Sequence, residues 1–458
     1  AGKCPVRTYK VACVDLNREL TWVQKGRKVV FGPVPMRSGR AGHRTRAGWH
    51  TIYWRHKNHW STLYNSPMPY AQFFDGGEAF HAVYGTIYTT VGSWGCVNLR
   101  LGDARKLWGV LKKGDSTAAR CARAAVEAGA GWLGTATPEE ALALRRAGLP
   151  GRIMCWLWTP GGPWREAVEA DIDVSVSGMW ALAEVTAAAR AAGVPARVQL
   201  KADTGLGRNG CQPGEDWAEL VAEALRAEAD GVLRITGLWS HFACADEPGH
   251  PSIAAQLALF REMVGYAERQ GVRPEVRHIA NSPATLTLPD SHFDLVRTGI
   301  ALYGISPSPE LGTSADFGLR PVMTLSANLA LVKHVPGGHG VSYGHHYVTS
   351  GRTTLGLVPL GYADGIPRHA SGNGPVLVGG KWRTVAGRIA MDQFVVDLGG
   401  DEPPVGAEAV LFGPGDRGEP TAEDWAQAAG TIAYEIVTRI GTRVPRVYVN
   451  EQQDGVIR

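Results

Sequence analysis

Hydrophobic and polar positions along this chain change rhythm near residue 115. Before that point apolar residues alternate in short runs, YKVACVDL, LTWVQ, KVVFGPVPM and HTIYW, broken by Gly, Pro and Asn, a pattern that predicts short β-strands. Within them KVACVDLNRELTWVQKGRKVVFGPV reads as consecutive hairpins turning at Asn17 and at Lys25 and Gly26. From Ala118 the period becomes helical: AARCARAAVEAGA, PEEALALRRAG, MWALAEVTAAARAAG, DWAELVAEALRAEA and SIAAQLALFREMVGYAERQG are amphipathic helices. Seven short apolar runs stand between and after them: WLGTA, RIMCWLW, DVSVS, RVQLKAD, ITGLWSHF, VRHIANS and LVRTGIALYG. Such alternation predicts a parallel α/β barrel. A closed barrel has eight strands, so one is missing, and its place is ahead of AARCARAAVEAGA, at Asp115 and Ser116. From about Leu319, runs such as MTLSANLALVKHV and TTLGLVPLGYADG predict a β-domain. The expected architecture is multidomain: a mostly-β domain at 1–115, an α/β TIM-type barrel lacking its first strand at 116–318, and a C-terminal β-domain at 319–458.

The length of 458 residues fits two or three cores. A net charge of +4 hides an asymmetry: 18 basic and 6 acidic residues up to Asp115, 29 and 37 after it, or +12 against −8. A strongly basic small domain suits an anionic polymer such as nucleic acid or cell wall, and an acidic large one suits the cytosol. No apolar run approaches the roughly 18 residues of a membrane span. The chain opens on AGKCPVR and not on Met, which leaves open a removed signal peptide or a fragment. Its seven cysteines match no zinc spacing, so no metal is expected. Cys4 and Cys13 are a disulfide candidate if the first part is exported, or else two unrelated thiols. Cys121, Cys155, Cys211 and Cys244 fall in helix or strand patterns, as small buried hydrophobes do.

Chemistry in the first part gathers in FHAVYGTIYTTVGSWGCVNLR, where His81 precedes Cys96 by fifteen residues and the cysteine lies in a glycine-flanked turn. A thiol near a base and N–H dipoles becomes a nucleophile. Residues 1–115 resemble the L,D-transpeptidase family, whose motif is a His, a spacer and Ser-His-Gly-Cys-Val-Asn. The resemblance implies Cys96 as acyl-accepting nucleophile, His81 as general base, and the backbone N–H groups of Trp94, Gly95 and Cys96 as oxyanion hole. It also implies peptidoglycan stem peptides as substrates and an exported or cell-wall origin. Two features depart from the family: Trp94 replaces a His, and the final short strand after the KKGD turn is missing.

In the second part polar residues stand at the ends of the strand runs, where such barrels place their sites: Lys201 and Asp203, with Arg208 following, then His241, Asn281 and Ser282, Arg297 and Gly299. Ser282 with the N–H groups of Gly299 and Ile300 makes a phosphate cradle. From about residue 118 to 450 the chain resembles bacterial alanine racemases, fold-type III pyridoxal phosphate enzymes, in LKADTGLGRNG, GLWSHFACADE, HIANSPATL, VRTGIALYGISP, VSYGHHY, GYADG, GRIAMDQ and AYEIVTRI. The resemblance implies Arg297 at the ring nitrogen of pyridoxal 5′-phosphate, and Ser282, Gly299, Ile300 and Tyr434 on the phosphate with Tyr362 near it. It places His241 against the ring, Arg208 and Met391 on the substrate alanine, and Lys201 as a carbamylated lysine orienting Arg208. Tyr343 becomes the general base for L-alanine, contributed across a homodimer interface of a cytoplasmic enzyme. Neither a nucleic-acid partner nor a membrane span is implied.

The family's lysine that holds the cofactor covalently lies in a Lys-Ala-x-Ala-Tyr-Gly-His-Gly motif at the end of its first strand, and that motif is absent. Alignment sets the lysine's place near Val110; Lys112 and Lys113 are close in sequence but end the first domain's helix. Both parts are thus incomplete at one point, as joining of two truncated reading frames would leave them. Three readings follow: an alanine racemase-like protein impaired by the missing lysine, an L,D-transpeptidase acting through Cys96, and a non-catalytic chimera.

Overall fold

A computed structural model of the chain describes residues 4, 6, 10–48, 50, 52, 54–62, 65–88, 92–111 and 117–449. The chain forms two compact units, one of Ala1–Ala130, Ala143–Pro150 and Val447–Arg458, the other of Gly131–Leu142 and Gly151–Arg446. The join at Asp115 and Ser116, with Lys112 and Lys113, lies outside the described residues.

The first unit begins with an antiparallel meander of β1 (Lys10–Asp15), β2 (Leu20–Lys25) and β3 (Lys28–Pro35). Its turns fall at the expected places. The Asp15 carboxylate accepts from the N–H groups of Asn17 and Arg18, and Gly26 takes a positive φ between β2 and β3. A second sheet runs β4 (Trp54–Ser61), β5 (Ser66–Asp75), β6 (Glu78–Ala82) and β7 (Val97–Leu99), with β6 and β7 parallel. Helix α1 (Leu101–Val110) sends Ala104 and Leu107 into a core with Val23, Phe31, Phe74, Phe80, Val97 and Leu99. Burial of this kind stabilises by roughly 25 cal/mol per Å² of apolar surface. Helix α2 (Thr117–Glu127) follows the join. Cys4 and Cys13 form a disulfide with a Cα–Cα distance of 5.9 Å.

In the second unit β8 (Trp132–Thr135), β9 (Arg152–Cys155), β10 (Asp173–Val176), β11 (Ala196–Lys201), β12 (Leu233–Trp239) and β13 (Val276–His278) form a six-stranded parallel sheet in sequence order, a half-barrel. Helices α3 (Pro138–Arg146, of which the residues up to Leu142 belong to this unit), α4 (Trp164–Glu169), α5 (Met179–Ala192), α6 (Glu215–Ala229) and α7 (Pro251–Gln270) alternate with the strands in sequence, and α8 (Ser282–Thr287) follows the last. Every residue of β10 is buried, as expected of a strand covered on both faces. The seventh apolar run, LVRTGIALYG, joins no ladder. Arg297, Thr298 and Gly299 split it into two apolar pieces too short for a strand, and its second half closes into a 3₁₀ turn at Ile300–Tyr303.

A β-domain follows, of β14 (Leu325–Asn328), β15 (Leu331–Val335), β16 (Gly340–Val341), β17 (Tyr347–Val348), β18 (Thr353–Val358), β19 (Pro375–Val378), β20 (Lys381–Thr384), β21 (Phe394–Gly399) and β22 (Glu408–Phe412), closed by α9 (Ala422–Ala429) and α10 (Ala433–Arg439). Its core centres on Trp425, Phe394, Phe412, Leu398 and Ile436. Among the described residues no helix is long and apolar enough to cross a membrane, and no group of three or more His, Cys, Asp or Glu could hold a metal ion.

Candidate functional site

The half-barrel strands β11, β12 and β13 end side by side, and their last residues converge on one guanidinium. Arg297 donates to His278 Nδ1 (2.5 Å), His241 Nδ1 (3.2 Å) and the carbonyl oxygens of Ser240 (2.7 Å) and Ile279 (3.1 Å). None of these partners is a carboxylate. The guanidinium is enclosed, and burial lowers it to about 9. His278, wholly buried, donates from Nε2 to Gln199 Oε1 (2.7 Å), which fixes the tautomer that leaves Nδ1 free to accept. Burial first, then Arg297, Arg208 and Lys201, brings His241 down to about 3, so this ring is neutral at any working pH. Lys201 closes β11 at 4% exposure, its Nζ 4.3 Å from the Trp239 ring centroid, and the Arg297 guanidinium lies 4.8 Å from the same ring. Arg208 is exposed on the following turn, and its side chain has no hydrogen bond or ion pair among the described residues.

A second group lies beside this one in the chain. Ser282 Oγ, buried at 3%, accepts from Gly299 N–H (2.8 Å) and faces Ala301 N–H (3.4 Å), and the Tyr434 hydroxyl of α10 bonds the same serine. Burial pushes that phenol up to about 12. Ile300, the residue between the two amides, is buried. Three N–H or O–H groups thus meet at one hydroxyl, a donor set suited to a phosphate.

Tyr343, Tyr362 and Met391 gather elsewhere. With Arg368, Arg388 and Asp392 they line a cavity of about 530 Å³ on the β-domain. Tyr343 is 70% exposed, carried on a turn where Ser342 and His345 both have positive φ (60° and 47°), costly for residues with a Cβ. Ser342 Oγ holds the turn by donating to the Arg388 carbonyl (2.6 Å). Tyr362 and Ala363 N–H groups bond the carbonyls of Ala390 and Met391, and Gly361 permits this approach, since a Cβ there would stand 2.3 Å from the Met391 oxygen. Among the described residues no hydrogen bond or ion pair joins this cluster to Arg297, Ser282 or Lys201.

In the first unit Cys96 follows Gly95 (φ 104°), and its thiol lies 3.9 Å from the Gly77 carbonyl oxygen. The Ser93 hydroxyl bonds the Cys96 carbonyl, and the Trp94 ring lies tilted against His43 (centroids 3.8 Å apart) with Arg40 over it (4.1 Å). Burial first, with the nearby Glu78 carboxylate adding to it, pushes the thiol up to about 11. His81, on β6, has both ring nitrogens engaged: Nδ1 with the Ala82 carbonyl (2.8 Å) and Nε2 with the Asn98 amide (2.8 Å). Arg37 in turn bonds Asn98 Oδ1 (2.9 Å), which orients that amide to donate. Burial lowers His81 to about 4.

Sequence reasoning passed over His278, Gln199 and Glu78. His278 and Gln199 lie in quoted strand runs, and the available signal was a polar residue alternating with the apolar ones of a strand in a parallel sheet.

A parallel half-barrel whose strand ends carry a buried arginine and a cluster of N–H and O–H donors, followed by a β-domain, is the fold class of the alanine racemases. The family models that match are those of the alanine racemase N-terminal domain over residues 95–307, the alanine racemase C-terminal domain over 322–448, and the L,D-transpeptidase catalytic domain over 9–120. The first and last overlap at residues 95–120, across the join. Alanine racemase of Streptomyces coelicolor is 85% identical over 335 residues, covering 72% of this chain and 86% of that protein. The Frankia casuarinae enzyme is 57% identical over 329 residues, covering 72% and 85%. The solved structure of alanine racemase from Streptomyces lavendulae, 75% identical, superposes with a TM-score of 0.73 over 74% of this chain and 88% of that one. The chain belongs to the alanine racemase family and carries an L,D-transpeptidase-type domain ahead of it.

Proposed function

We propose that the chain is an alanine racemase-type isomerase that binds pyridoxal 5′-phosphate and alanine and in which racemisation is severely impaired. The observation that carries the binding half of this reading is the meeting of Gly299 N–H, Ala301 N–H and the Tyr434 hydroxyl at Ser282 Oγ. When bound, pyridoxal phosphate supplies an electron sink that acidifies the α-proton of an amino acid. Ser282, Gly299, Ile300 and Tyr434 hold its phosphate, and His241 packs against its ring. Arg297 takes the ring nitrogen and, as a cation, disfavours protonation there, which limits the sink and suits racemisation better than transamination. The neutral imidazole of His278 holds that guanidinium in place. Arg208 and Met391 bind substrate, and the Tyr343 hydroxyl moves a proton on one face of the α-carbon.

Tyr343, Tyr362 and Met391 stand apart from Arg297 and Ser282, which supports a homodimer in which a second copy brings the tyrosine to the site. Inverting a carbon also needs a proton-bearing group on the opposite face. From Thr117 onward the sequence contains three lysines, Lys201, Lys333 and Lys381, none within the motif that would supply this group. Loss of one acid–base group costs roughly 10²–10⁴-fold. Racemisation of L-alanine by the purified chain, followed by a D-amino-acid oxidase assay, is expected to fall short of an intact family enzyme by at least that factor. Turnover equal to the intact enzyme overturns the reading.

A second reading concerns the first unit: an acyl transferase of peptidoglycan stem peptides acting through Cys96. The domain match and the disulfide, a bond of oxidising compartments, favour it. The protonated thiol and the engaged His81 weigh against turnover without a rearrangement of both.

A further inference from the structure

Strand β12 carries a buried glycine, Gly237, paired with Gln199 of β11 on one side and Val276 of β13 on the other. Glycine weakens a strand interior and often marks a close approach by another group. A Cβ there would stand 2.7 Å from Cδ of Gln199, whose side chain reaches from β11 to His278 at the end of β13. Gln199 Oε1 accepts from His278 Nε2 (2.7 Å), and His278 Nδ1 accepts from Arg297 (2.5 Å). These directions are forced, because a guanidinium only donates and the buried imidazole is neutral, which leaves its one proton on Nε2. The amide oxygen must face His278, so the amide nitrogen turns the other way. Gln199 Nε2 completes no hydrogen bond of normal geometry among the described residues, yet Gln199 is one of the groups that hold down the Asp173 carboxyl of β10. That carboxyl is wholly buried and accepts from Thr236 Oγ1 (2.5 Å) and Arg197 Nε (3.2 Å). The two ends of an amide have the same shape, so only such neighbours fix which way it points.

We propose that Gln199 is a positioning residue for the ring nitrogen of pyridoxal 5′-phosphate: aimed by Asp173, its amide holds the His278 ring in the one orientation and protonation that presents Arg297 to that nitrogen. Arg297 has no carboxylate to fix it, and its partners are two imidazoles and two carbonyl oxygens. Without an acceptor at Gln199 the His278 Nε2–H is buried and unpaired, and the ring is free to turn away from the guanidinium. Gly237 supplies the room for the crossing amide. The inference rests on the cofactor reading above and extends it past His278 into the sheet, to residues that touch neither cofactor nor substrate.

The full chain is dialysed to equilibrium against pyridoxal 5′-phosphate and against its 1-deaza analogue, in which a C–H replaces the ring nitrogen. Wild type should prefer the first by about 10- to 100-fold, the contribution of a hydrogen bond to a charged group. Gln199→Leu fills similar space without an acceptor and should lose about 10-fold or more of that preference, while its affinity for the analogue, its circular dichroism and its melting temperature stay native. Gly237→Ala sets a methyl group against the amide and should do the same. The double variant Asp173→Asn with Gln199→Glu keeps an oxygen facing His278 and a donor behind it, and should restore the preference; a packing role for Gln199 gives no such recovery. Full preference in Gln199→Leu, or none regained in the double variant, overturns the proposal and leaves the cofactor reading standing. Equal affinity of wild type for both ligands removes the cofactor reading and this inference with it. Nitrogen-15 NMR of the unliganded, histidine-labelled chain, with His278 assigned by its loss in His278→Phe, is a check free of the cofactor: a proton on His278 Nδ1 overturns the proposal.

Discussion

Acid should unfold the first unit through His81. This residue is 7% exposed and held down at about 4, with burial as the leading cause, against an unfolded value near 6.5. The native state therefore binds fewer protons than the unfolded state between those two values. Stability from this group is present in full above pH 6.5 and is lost as the pH falls toward 4. Between pH 7 and pH 5 the loss is about 2 kcal/mol, and its limit below pH 4 is about 3 kcal/mol. Lowering the midpoint of a urea transition by that amount, for a slope of about 2 kcal/mol/M, means a shift on the order of 1 M. The assay must report this unit alone, and Cys96 does so: pulse reaction with a dithiodipyridine, which works in acid, followed by mass mapping, reads its exposure at each urea concentration. His81→Gln keeps a polar group beside Asn98 but cannot titrate, so its midpoint should move much less between pH 7 and pH 5. Parallel movement of wild type and variant refutes the assignment of a neutral, locked imidazole, and with it the argument that His81 is unavailable to the thiol.

Two further outcomes follow from the same geometry. Ser282→Ala removes the hydroxyl on which the cradle centres; the dissociation constant for pyridoxal 5′-phosphate in equilibrium dialysis should rise about 10- to 100-fold, the worth of a hydrogen bond to a charged group, with binding of unphosphorylated pyridoxal unchanged. Glu78→Gln removes the carboxylate whose Oε1 would stand 2.7 Å from a Cβ at Gly95, next to the thiol; the pH midpoint of Cys96 alkylation should fall, whereas a rise would make Glu78 a base and not a brake.

Much of the architecture was readable because period is local. The turns at Asn17 and Gly26, the alternation of α3 to α7 with β8 to β13, and the strand character of MTLSANLALVKHV follow from spacing and turn chemistry, whereas its division into β14 and β15 does not show in that run. The seventh run misled because its apolar count resembles a strand, while Arg297 and Gly299 at its middle are placed for the site and not for a ladder. The candidate residues could be picked out in the sequence by type, but not the two clusters into which the structure gathers them. Tyr343 and Ser282 are both polar ends in a sequence, and only coordinates separate the β-domain cavity from the strand ends. Nor could spacing reveal that the ring nitrogens of His81 are spoken for, since its partners are a neighbouring carbonyl and an amide seventeen residues away.

The consequence of the join differs between binding and turnover. The groups proposed to hold the cofactor follow β12 and β13 in the chain (His241, Ser282 and the turn of Arg297, Gly299 and Ile300) or belong to α10, and β12 and β13 lie at the far side of the sheet from β8, which ends it. On the reading that a strand is missing ahead of β8, none of those contacts is lost: Arg297 keeps its hydrogen bonds to His278 and His241, and Ser282 keeps the one from Gly299 N–H. What such a strand would contribute is a side chain reaching in from the opposite end of the half-barrel, and no residue of β8 replaces it: Trp132, Leu133, Gly134 and Thr135 carry no amine and no group that titrates near neutrality. On the proposed reading, affinity for the phosphate and ring is separable from catalysis in this chain, and binding without turnover is the expected outcome.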